Sequence, residues 1–273
     1  MTVTTTAGVD WEQWLDRWEV QQSAYIPFRE ERFTAMLDAL ELAVGDEFTA
    51  IDLMCGPGAI TRRIVKRFPR AHVIAIDLDP VLMSIGRNTI GPEIERVTWI
   101  EANLGEPGWL EFLGGRPIDA VLSTTAIHWL AAGQIVDLYR DLANLIRPGG
   151  VLLNGDQMQF AASNAVLRDV SLRYRTTFRE TASAKGAESW EAWWLALRAE
   201  PALRESFEER DRRFAWRPQD RELAVGSTAP RAAERPVVHT TFPVHAAAML
   251  DAGFSEVGAV WQHFDNRVLM AVR

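Results

Sequence analysis

The sequence predicts an α/β protein, a three-layer sandwich built on a seven-stranded, mostly parallel sheet. Between residues 48 and 154, short apolar runs alternate with helical patterns, as in a parallel sheet with helices on both faces. Near the end of the chain, apolar runs at 257–264 and 268–272 flank Asp265-Asn266. That turn predicts a hairpin, so the last strand should be antiparallel.

Apolar runs and turn residues predict the individual elements. Strands are expected at 48–53, 71–76, 97–100, 118–123 and 151–154, and helices at 59–68, 80–89, 132–146 and 244–250. After residue 157 the alternation stops. The chain therefore divides into an N-terminal helical segment (1–44), a core (45–157), a helical lid inserted after strand five (158–240) and a C-terminal helix with two strands (241–273).

The segments outside the core are rich in aromatic residues. Trp11, Trp14 and Trp18 recur at helical spacing after Asp10, a candidate N-cap. This stripe could pack on the lid, on another subunit or as an ordinary helix face. Most lid aromatics should form the lid's own core, and some should line a substrate pocket. They are Tyr174, Phe178, Trp190, Trp193, Trp194, Phe214 and Trp216, of which we predict Tyr174, Trp190 and Trp194 at the substrate.

Composition excludes several classes of function. The net charge is −8 and no basic block occurs, which argues against nucleic acid as the substrate. We see no secretion signal and no apolar run of about 20 residues. The single cysteine, Cys55, suits a reducing compartment. We therefore expect a cytoplasmic protein with a small-molecule substrate and no membrane partner, and a homodimer stays open.

One loop carries the chemistry. A strand ends in Asp52-Leu53-Met54-Cys55, then Gly56 and Gly58 form a turn and a helix begins at once. Glycines let the backbone approach a ligand, which meets free N–H groups at the helix start. Asp77 ends the next strand, where a carboxylate can accept both ribose hydroxyls. Thr61 stands where a dinucleotide fingerprint has its third glycine, which disfavours NAD.

This loop resembles motif I of class I S-adenosylmethionine-dependent methyltransferases, with Met54 where the family usually has glycine. Similar segments follow in order: AIDLDP (75–80), EANL (101–104), DAVLSTTAIHWL (119–130) and RPGG (147–150). The resemblance implies S-adenosylmethionine as cofactor and S-adenosylhomocysteine as product. It implies a cofactor site made by Asp52, Met54, Cys55, Gly56, Gly58, Asp77, Leu78, Asn103, Leu104 and Thr124.

An N-terminal element is similar to that of the trans-aconitate methyltransferase branch. The segment YIPFREER (25–32) resembles that group's Y-x-x-F-x-x-E-R, and Ala126 to Leu130 resembles its segment ending in Trp-Leu. The resemblance implies that Tyr25 closes over the cofactor and that Arg32 contacts the cofactor carboxylate.

Several roles stay open at this stage. Asp52 could bind the cofactor or only cap the following helix. His128, in the loop expected to face the substrate with Trp129, is the candidate catalytic base, and it could also orient the substrate or serve structure. Cys55 could be a reactive thiol, but a small loop residue is the favoured reading. No histidine has metal-ligand spacing, so no metal is expected.

The predicted reaction is methyl transfer to an O, N or C atom of a small molecule. It relies on alignment of the reactants, with possible help from a base. The alternative is a protein of the same fold that binds the cofactor without methylating, acting as a cyclase or a regulator.

Overall fold

A computed structural model describes residues 8–215 and 241–273. It contains one seven-stranded sheet in the order β3-β2-β1-β4-β5-β7-β6, which confirms the predicted fold class. The strands are β1 (Thr49–Leu53), β2 (His72–Asp77), β3 (Val97–Glu101), β4 (Ile118–Thr124), β5 (Ile146–Gln157), β6 (Glu256–His263) and β7 (Asn266–Val272).

Nine α-helices occur in the described part of the chain. They are α1 (Trp11–Tyr25), α2 (Arg29–Val44), α3 (Ala59–Arg67), α4 (Pro80–Thr89), α5 (Ala132–Leu145), α6 (Ala165–Ala184), α7 (Trp190–Arg198), α8 (Arg204–Phe214) and α9 (Phe242–Ala252). Two apolar clusters, each made of strand and helix residues, form the core of the sandwich.

The parallel strands end together at one edge of the sheet. Leu53 of β1 pairs with Ile76 of β2 and Ser123 of β4, and Thr124 pairs with Gly155 of β5. Neighbouring strands lie about 4.8 Å apart, so the tips of β1 and β5 are separated by about 10 Å. Every loop predicted to carry chemistry leaves the sheet at this edge.

The C-terminal hairpin is as predicted, because β7 runs antiparallel to both β5 and β6. The fifth strand is longer than the sequence indicates. It reaches Gln157 because β7 pairs with it as far as Asn266. This pairing brings the hairpin turn to the functional edge of the sheet.

The N-terminal tryptophans pack on the inserted helices of the same chain. Trp14 and Trp18 meet Trp193 with ring centroids 6.1 and 4.9 Å apart. Asp10 caps α1 by accepting the Gln13 N–H at 3.0 Å, as predicted. The three inserted helices α6, α7 and α8 belong to the predicted lid, whereas its remainder, including Trp216, lies outside the described residues. None of the described helices is both long and apolar enough to cross a bilayer.

Candidate functional site

Asp52 lies buried under the loop between β1 and α3. One of its oxygens accepts the Thr61 hydroxyl at 2.6 Å and the Thr61 N–H at 3.2 Å, so the carboxylate ties β1 to the first turn of α3. Burial raises the pKa of Asp52 to about 7, although both hydrogen bonds from Thr61 oppose that rise. The capping role is therefore present in the structure, and contact with a cofactor stays a prediction.

The loop between β1 and α3 turns through three left-handed residues. Gly56 and Gly58 have φ of 54° and 78°, and Met54 has φ of 55°. Glycine adopts this conformation without strain, which explains why the resembling family has glycine at the position of Met54. The Met54 side chain packs against the apolar cluster that contains Leu53.

Cys55 belongs to the packed core of this loop. The residue is buried, and burial raises the pKa of its thiol well above the ordinary value. Its N–H donates to the Ile76 carbonyl at 3.0 Å, which joins the loop to β2. A protonated, buried thiol is a poor nucleophile, so the structure favours the structural reading.

Gly58 also makes room for a side chain that the sequence did not single out. A Cβ on Gly58 would lie 2.9 Å from the Trp99 ring, and one on Gly86 would lie 2.4 Å from the same ring. Trp99, from β3, therefore packs between the start of α3 and the second half of α4 only because both neighbours are glycine. The glycine loop thus serves packing, and its close approach to a ligand stays a prediction.

Asp77 holds the tip of β2. One carboxylate oxygen accepts the Gly56 N–H at 2.7 Å, and the other accepts the Asp79 N–H at 2.8 Å. A carboxylate has about four lone-pair positions, so it can still accept hydrogen bonds from two hydroxyls. Burial raises the pKa of Asp77 to about 6, against the opposing effect of these amides.

The tip of β3 carries the predicted adenine contacts. Asn103 turns its side-chain oxygen to the Gly105 N–H at 3.0 Å, and its amide nitrogen donates to Glu106. The oxygen can accept one more hydrogen bond. Leu104 is buried beside it, and Leu78 follows Asp77 at the neighbouring tip. These residues lie along one edge, as the predicted adenosine site requires.

His128 is held by a carboxylate that sequence reasoning missed. Its Nδ1 lies 2.9 and 3.0 Å from the two oxygens of Asp156, and its backbone N–H donates to the same group at 3.3 Å. Burial alone would raise the pKa of Asp156, but His128 and Arg32 hold it at about 2. A buried, ionised carboxylate on an imidazole is the arrangement that orients a general base. Trp129 stacks loosely on His128 and is partly exposed.

Arg32 is buried close to this pair. It donates to the Asn266 side chain at 3.0 Å and to the Thr125 hydroxyl at 2.5 Å. Its Nε has no hydrogen-bond partner among the described residues. Thr125 follows Thr124 at the tip of β4 with φ of 57°, a strained conformation for a β-branched residue. Strain of this kind is typical of functional loops.

The other predicted site residues lie on the inserted helices or contact them. The Tyr25 hydroxyl accepts the Trp190 N–H at 3.4 Å, and the Arg179 guanidinium lies 5.3 Å above the Tyr25 ring. Trp194 is buried against Trp193. Tyr174 lies beside Phe178, His263 and Phe264 near the hairpin turn. These contacts are packing contacts, and the predicted roles of Tyr174, Trp190 and Trp194 toward substrate stay predictions.

The hydrogen-bonding groups at this edge fit an adenosyl sulfonium compound. Asp77 offers acceptors for ribose hydroxyls, Asp52 supplies an acidic group under the loop, and the orphaned Nε of Arg32 can donate to a carboxylate. No group of three histidine, cysteine or acidic side chains is placed to hold a metal ion within residues 8–215 and 241–273.

Part of the chain is similar to known methyltransferases. Residues 50–150 match the family model described as a methyltransferase domain. The chain is 32% identical over 136 residues to trans-aconitate 2-methyltransferase of Azoarcus sp. (strain BH72), which covers 50% of this chain and 49% of that protein. It is 26% identical over 123 residues to a malonyl-[acyl-carrier protein] O-methyltransferase of Halalkalibacterium halodurans, covering 45% and 44%.

Solved structures agree on the fold. An O-methyltransferase family protein from Burkholderia thailandensis superposes with a TM-score of 0.52 at 19% identity, covering 99% of this chain and 71% of that one. Human N-acetylserotonin methyltransferase in complex with SAM gives 0.50 at 12% identity, covering 100% and 60%. Residues 50–150 thus match a methyltransferase domain, within a fold that these solved structures share. The chain spans about half the length of the curated relatives that it matches.

Three residues of the site were absent from the sequence prediction: Asp156, Thr61 as partner of Asp52, and Trp99. A carboxylate at the end of a buried strand was the available signal for Asp156, since such a group needs a partner. Thr61 was noted only as a departure from a dinucleotide pattern. Nothing in the sequence marked Trp99, because its role depends on two glycines in different helices.

Proposed function

We propose that this protein transfers a methyl group from S-adenosylmethionine to an oxygen, nitrogen or carbon atom of a small molecule. The His128–Asp156 pair carries the proposal, because it lies at the same edge of the sheet as the loop of Gly56 and Gly58, in a chain whose residues 50–150 match a methyltransferase domain. The tips of β1 and β2 hold the candidate cofactor groups. The loop after β4 holds the candidate proton acceptor, His128, and the end of β5 holds its partner, Asp156.

Each end of the cofactor would have its own partners. Asp77 would accept the ribose hydroxyls, and Leu78, Asn103 and Leu104 would border the adenine. Asp52 would face the cationic half, whereas Arg32 would bind the carboxylate. Tyr25 would close the site from the end of α1. A bound sulfonium supplies a reactive methyl group with a neutral leaving group, so the protein needs chiefly to align the reactants and exclude water.

His128 would take the proton that the acceptor loses. With Nδ1–H donated to Asp156, the basic atom of the ring is Nε2. A buried, ionised partner stabilises the imidazolium that forms, and it keeps the ring in a single orientation. The pair therefore favours an acceptor whose nucleophilic atom carries a proton, such as a phenol, over an acceptor that is already an anion.

The class of acceptor, the partners, the location and the role of the lid are further proposals. A small-molecule acceptor agrees with the relatives' names, and trans-aconitate belongs in any trial of acceptors for that reason. The absence of a nucleic-acid partner is a proposal that rests on charge, and a cytoplasmic location is one that rests on cysteine content. A homodimer is considered because the tryptophan stripe of α1 could pack on another subunit, but Trp14 and Trp18 pack on Trp193 of the same chain. The lid between 158 and 240 as the substrate cap is likewise a proposal.

Parallel calorimetric titrations with S-adenosylmethionine, S-adenosylhomocysteine and NAD test the cofactor. We expect S-adenosylmethionine and S-adenosylhomocysteine to bind. Asp77→Asn should lower the affinity for both by at least about tenfold, because it removes one charge-assisted contact. Asp46→Asn, on the surface, should leave both affinities unchanged. NAD binding with no response to S-adenosylmethionine would overturn the proposal.

A second experiment tests the reaction. We would incubate the protein with S-adenosylmethionine and a panel of phenols, amines and carboxylic acids, and measure the masses of the products by mass spectrometry. A product heavier by one methyl group supports the proposal. Cofactor binding without any methylated product would favour the regulatory alternative, and a rearranged product of unchanged mass would favour the cyclase.

A further inference from the structure

Helix α8 is fastened to the sheet edge by a buried ion pair. Arg210 Nε lies 2.5 Å from Asp79 Oδ2, and both side chains are less than a tenth exposed. The other oxygen of Asp79 caps α4 by accepting two backbone N–H groups, and the Asp79 N–H donates to Asp77. Through one residue, α8 is therefore connected to the proposed ribose acceptor.

A second arginine on the same face of α8 joins two strand tips. Arg213 donates to the Leu78 carbonyl at 3.1 Å and to the Glu101 carboxylate at 2.7 Å. Glu101 is paired in register with Asp77, so these acceptors belong to neighbouring strand ends. Arg87 holds the other Glu101 oxygen at 2.7 Å. The Arg213 guanidinium is thus fixed between the tips of β2 and β3.

The remainder of α8 is supported from behind by the aromatic cluster. The Arg210 guanidinium lies 4.1 Å from the Trp194 ring centroid and 4.9 Å from that of Phe214. Trp194 in turn packs on Trp193, which contacts the tryptophans of α1. These aromatic contacts hold α8 against α4 and the edge of the sheet. A surface helix without such contacts would be free to move.

We infer that α8 forms the outer wall of the adenosine site and that Arg213 is a cofactor-binding residue. The inference rests on the proposed function, which puts ribose at Asp77 and adenine between Leu78 and Asn103. Arg213 contacts the tips of β2 and β3, where these proposed positions meet. A planar guanidinium can lie against the face of a purine. Release of the cofactor then requires that the contacts of Arg213 with Leu78 and Glu101 open.

The test compares two neighbouring arginines. Arg213→Met removes the bridge and keeps an apolar side chain of similar length. Arg212→Met is the matched control, because Arg212 is 75% exposed and, among the described residues, its ion pair is with Glu209 of the same helix. For each variant, dissociation of S-adenosylhomocysteine and of 5′-methylthioadenosine is followed by dilution into excess unlabelled ligand, and thermal unfolding is recorded alongside.

We expect Arg213→Met to accelerate dissociation of both ligands by about tenfold, since the effects of binding-site mutations fall mostly on the off-rate. Arg212→Met should leave both rates within about twofold, which is below 0.5 kcal/mol at 1.4 kcal/mol per tenfold. Because 5′-methylthioadenosine lacks the amino acid, an equal effect on both ligands assigns the contact to adenosine. Glu101→Gln, which keeps the shape of the acceptor, should produce a smaller increase of the same kind.

Three outcomes would overturn the inference. They are equal rates in the Arg213→Met and wild-type proteins, equal acceleration by both arginine variants, and an effect confined to the ligand with an amino acid. If Arg213→Met does not fold, Glu101→Gln decides the matter by the same criteria. Failure of the wild-type protein to bind S-adenosylhomocysteine is a different result, because it removes the proposed function itself and the inference with it.

Discussion

Replacing Asp156 by asparagine removes the negative charge behind His128 with little change in shape. The His128–Asp156 contact involves two oxygens and a backbone amide, so the asparagine can keep part of the geometry. It cannot stabilise a protonated imidazole, and its amide group can hold the ring in the wrong tautomer. We therefore expect a defect in proton removal, with binding of S-adenosylmethionine changed less than twofold.

The size of the defect follows from the charge environment. The pKa of Asp156 is held at about 2 against an ordinary value of 3.8, in spite of burial. One pKa unit is equivalent to about 1.4 kcal/mol, so the combined effect of His128, the Gln157 N–H and Arg32 exceeds the opposing effect of burial by about 2–3 kcal/mol. If most of that is lost in the transition state, kcat falls by about 30-fold.

The assay uses a phenolic acceptor that the wild-type protein methylates, and it measures kcat and KM under saturating S-adenosylmethionine. Asp119→Asn is the control, because Asp119 holds Arg147 and the Thr49 N–H at the opposite end of the strands. That variant should keep its kcat even where it loses stability.

A second acceptor separates base catalysis from a structural defect. A nitrophenol that is ionised at the assay pH has no proton to lose, so Asp156→Asn and His128→Gln should methylate it at close to the wild-type rate. An unchanged kcat with the neutral phenol, or an equal loss with both acceptors, would refute the role of the pair in proton removal.

Three further results are expected. The pKa values of Asp52 and Asp77 are about 7 and about 6, and a cationic ligand with ribose hydroxyls favours the ionised form of both carboxylates. The affinity for S-adenosylmethionine should therefore fall as the pH falls from 7 to 5, and binding should release protons. Calorimetry in buffers of different ionisation enthalpy measures that release, and its absence would contradict it. Burial would raise the pKa of Glu19, but its arginine partners hold it at about 2, so it contributes stability above pH 4.5 that is lost as the pH falls toward 2. Urea unfolding should show Glu19→Gln less stable by about 3 kcal/mol at pH 7 and nearly equal to wild type near pH 2, whereas a gap that persists in acid would contradict the assignment. Gly86→Ala should cost about 1–3 kcal/mol through overpacking, whereas Gly133→Ala, in α5 with open space around it, should be neutral or stabilising by up to about 1 kcal/mol, and the same denaturation curves measure both.

Prediction from sequence succeeded where local pattern decides structure. The boundaries of α4, at residues 80 and 89, were predicted exactly as they occur, because Asp79 and Pro80 are strong signals for a helix start. The hairpin at the end of the chain was also confirmed from its turn residues. The limits of β5 were not, because its last residues are strand only through pairing with β7.

The site shows the same division. The sequence marked the loop of Gly56 and Gly58 and the acid Asp77 as candidate nucleoside-binding groups, because a nucleoside loop needs fixed residue types at fixed spacing. The partners of these residues could not be recognised in the same way. Asp156 lies 28 residues from His128, and Asn266 lies 234 residues from Arg32. Such pairs leave no periodic signal.

By itself, the amino-acid sequence determined the class of fold and the position of the glycine loop between β1 and α3, since apolar period, glycine turns and strand-end acids act over a few residues. Only the tertiary structure decided which charges meet: Asp156 with His128, and α8 with the tips of β2 and β3. The physical reason is that a buried charge must find a partner wherever packing brings one, and packing at that range depends on the whole chain.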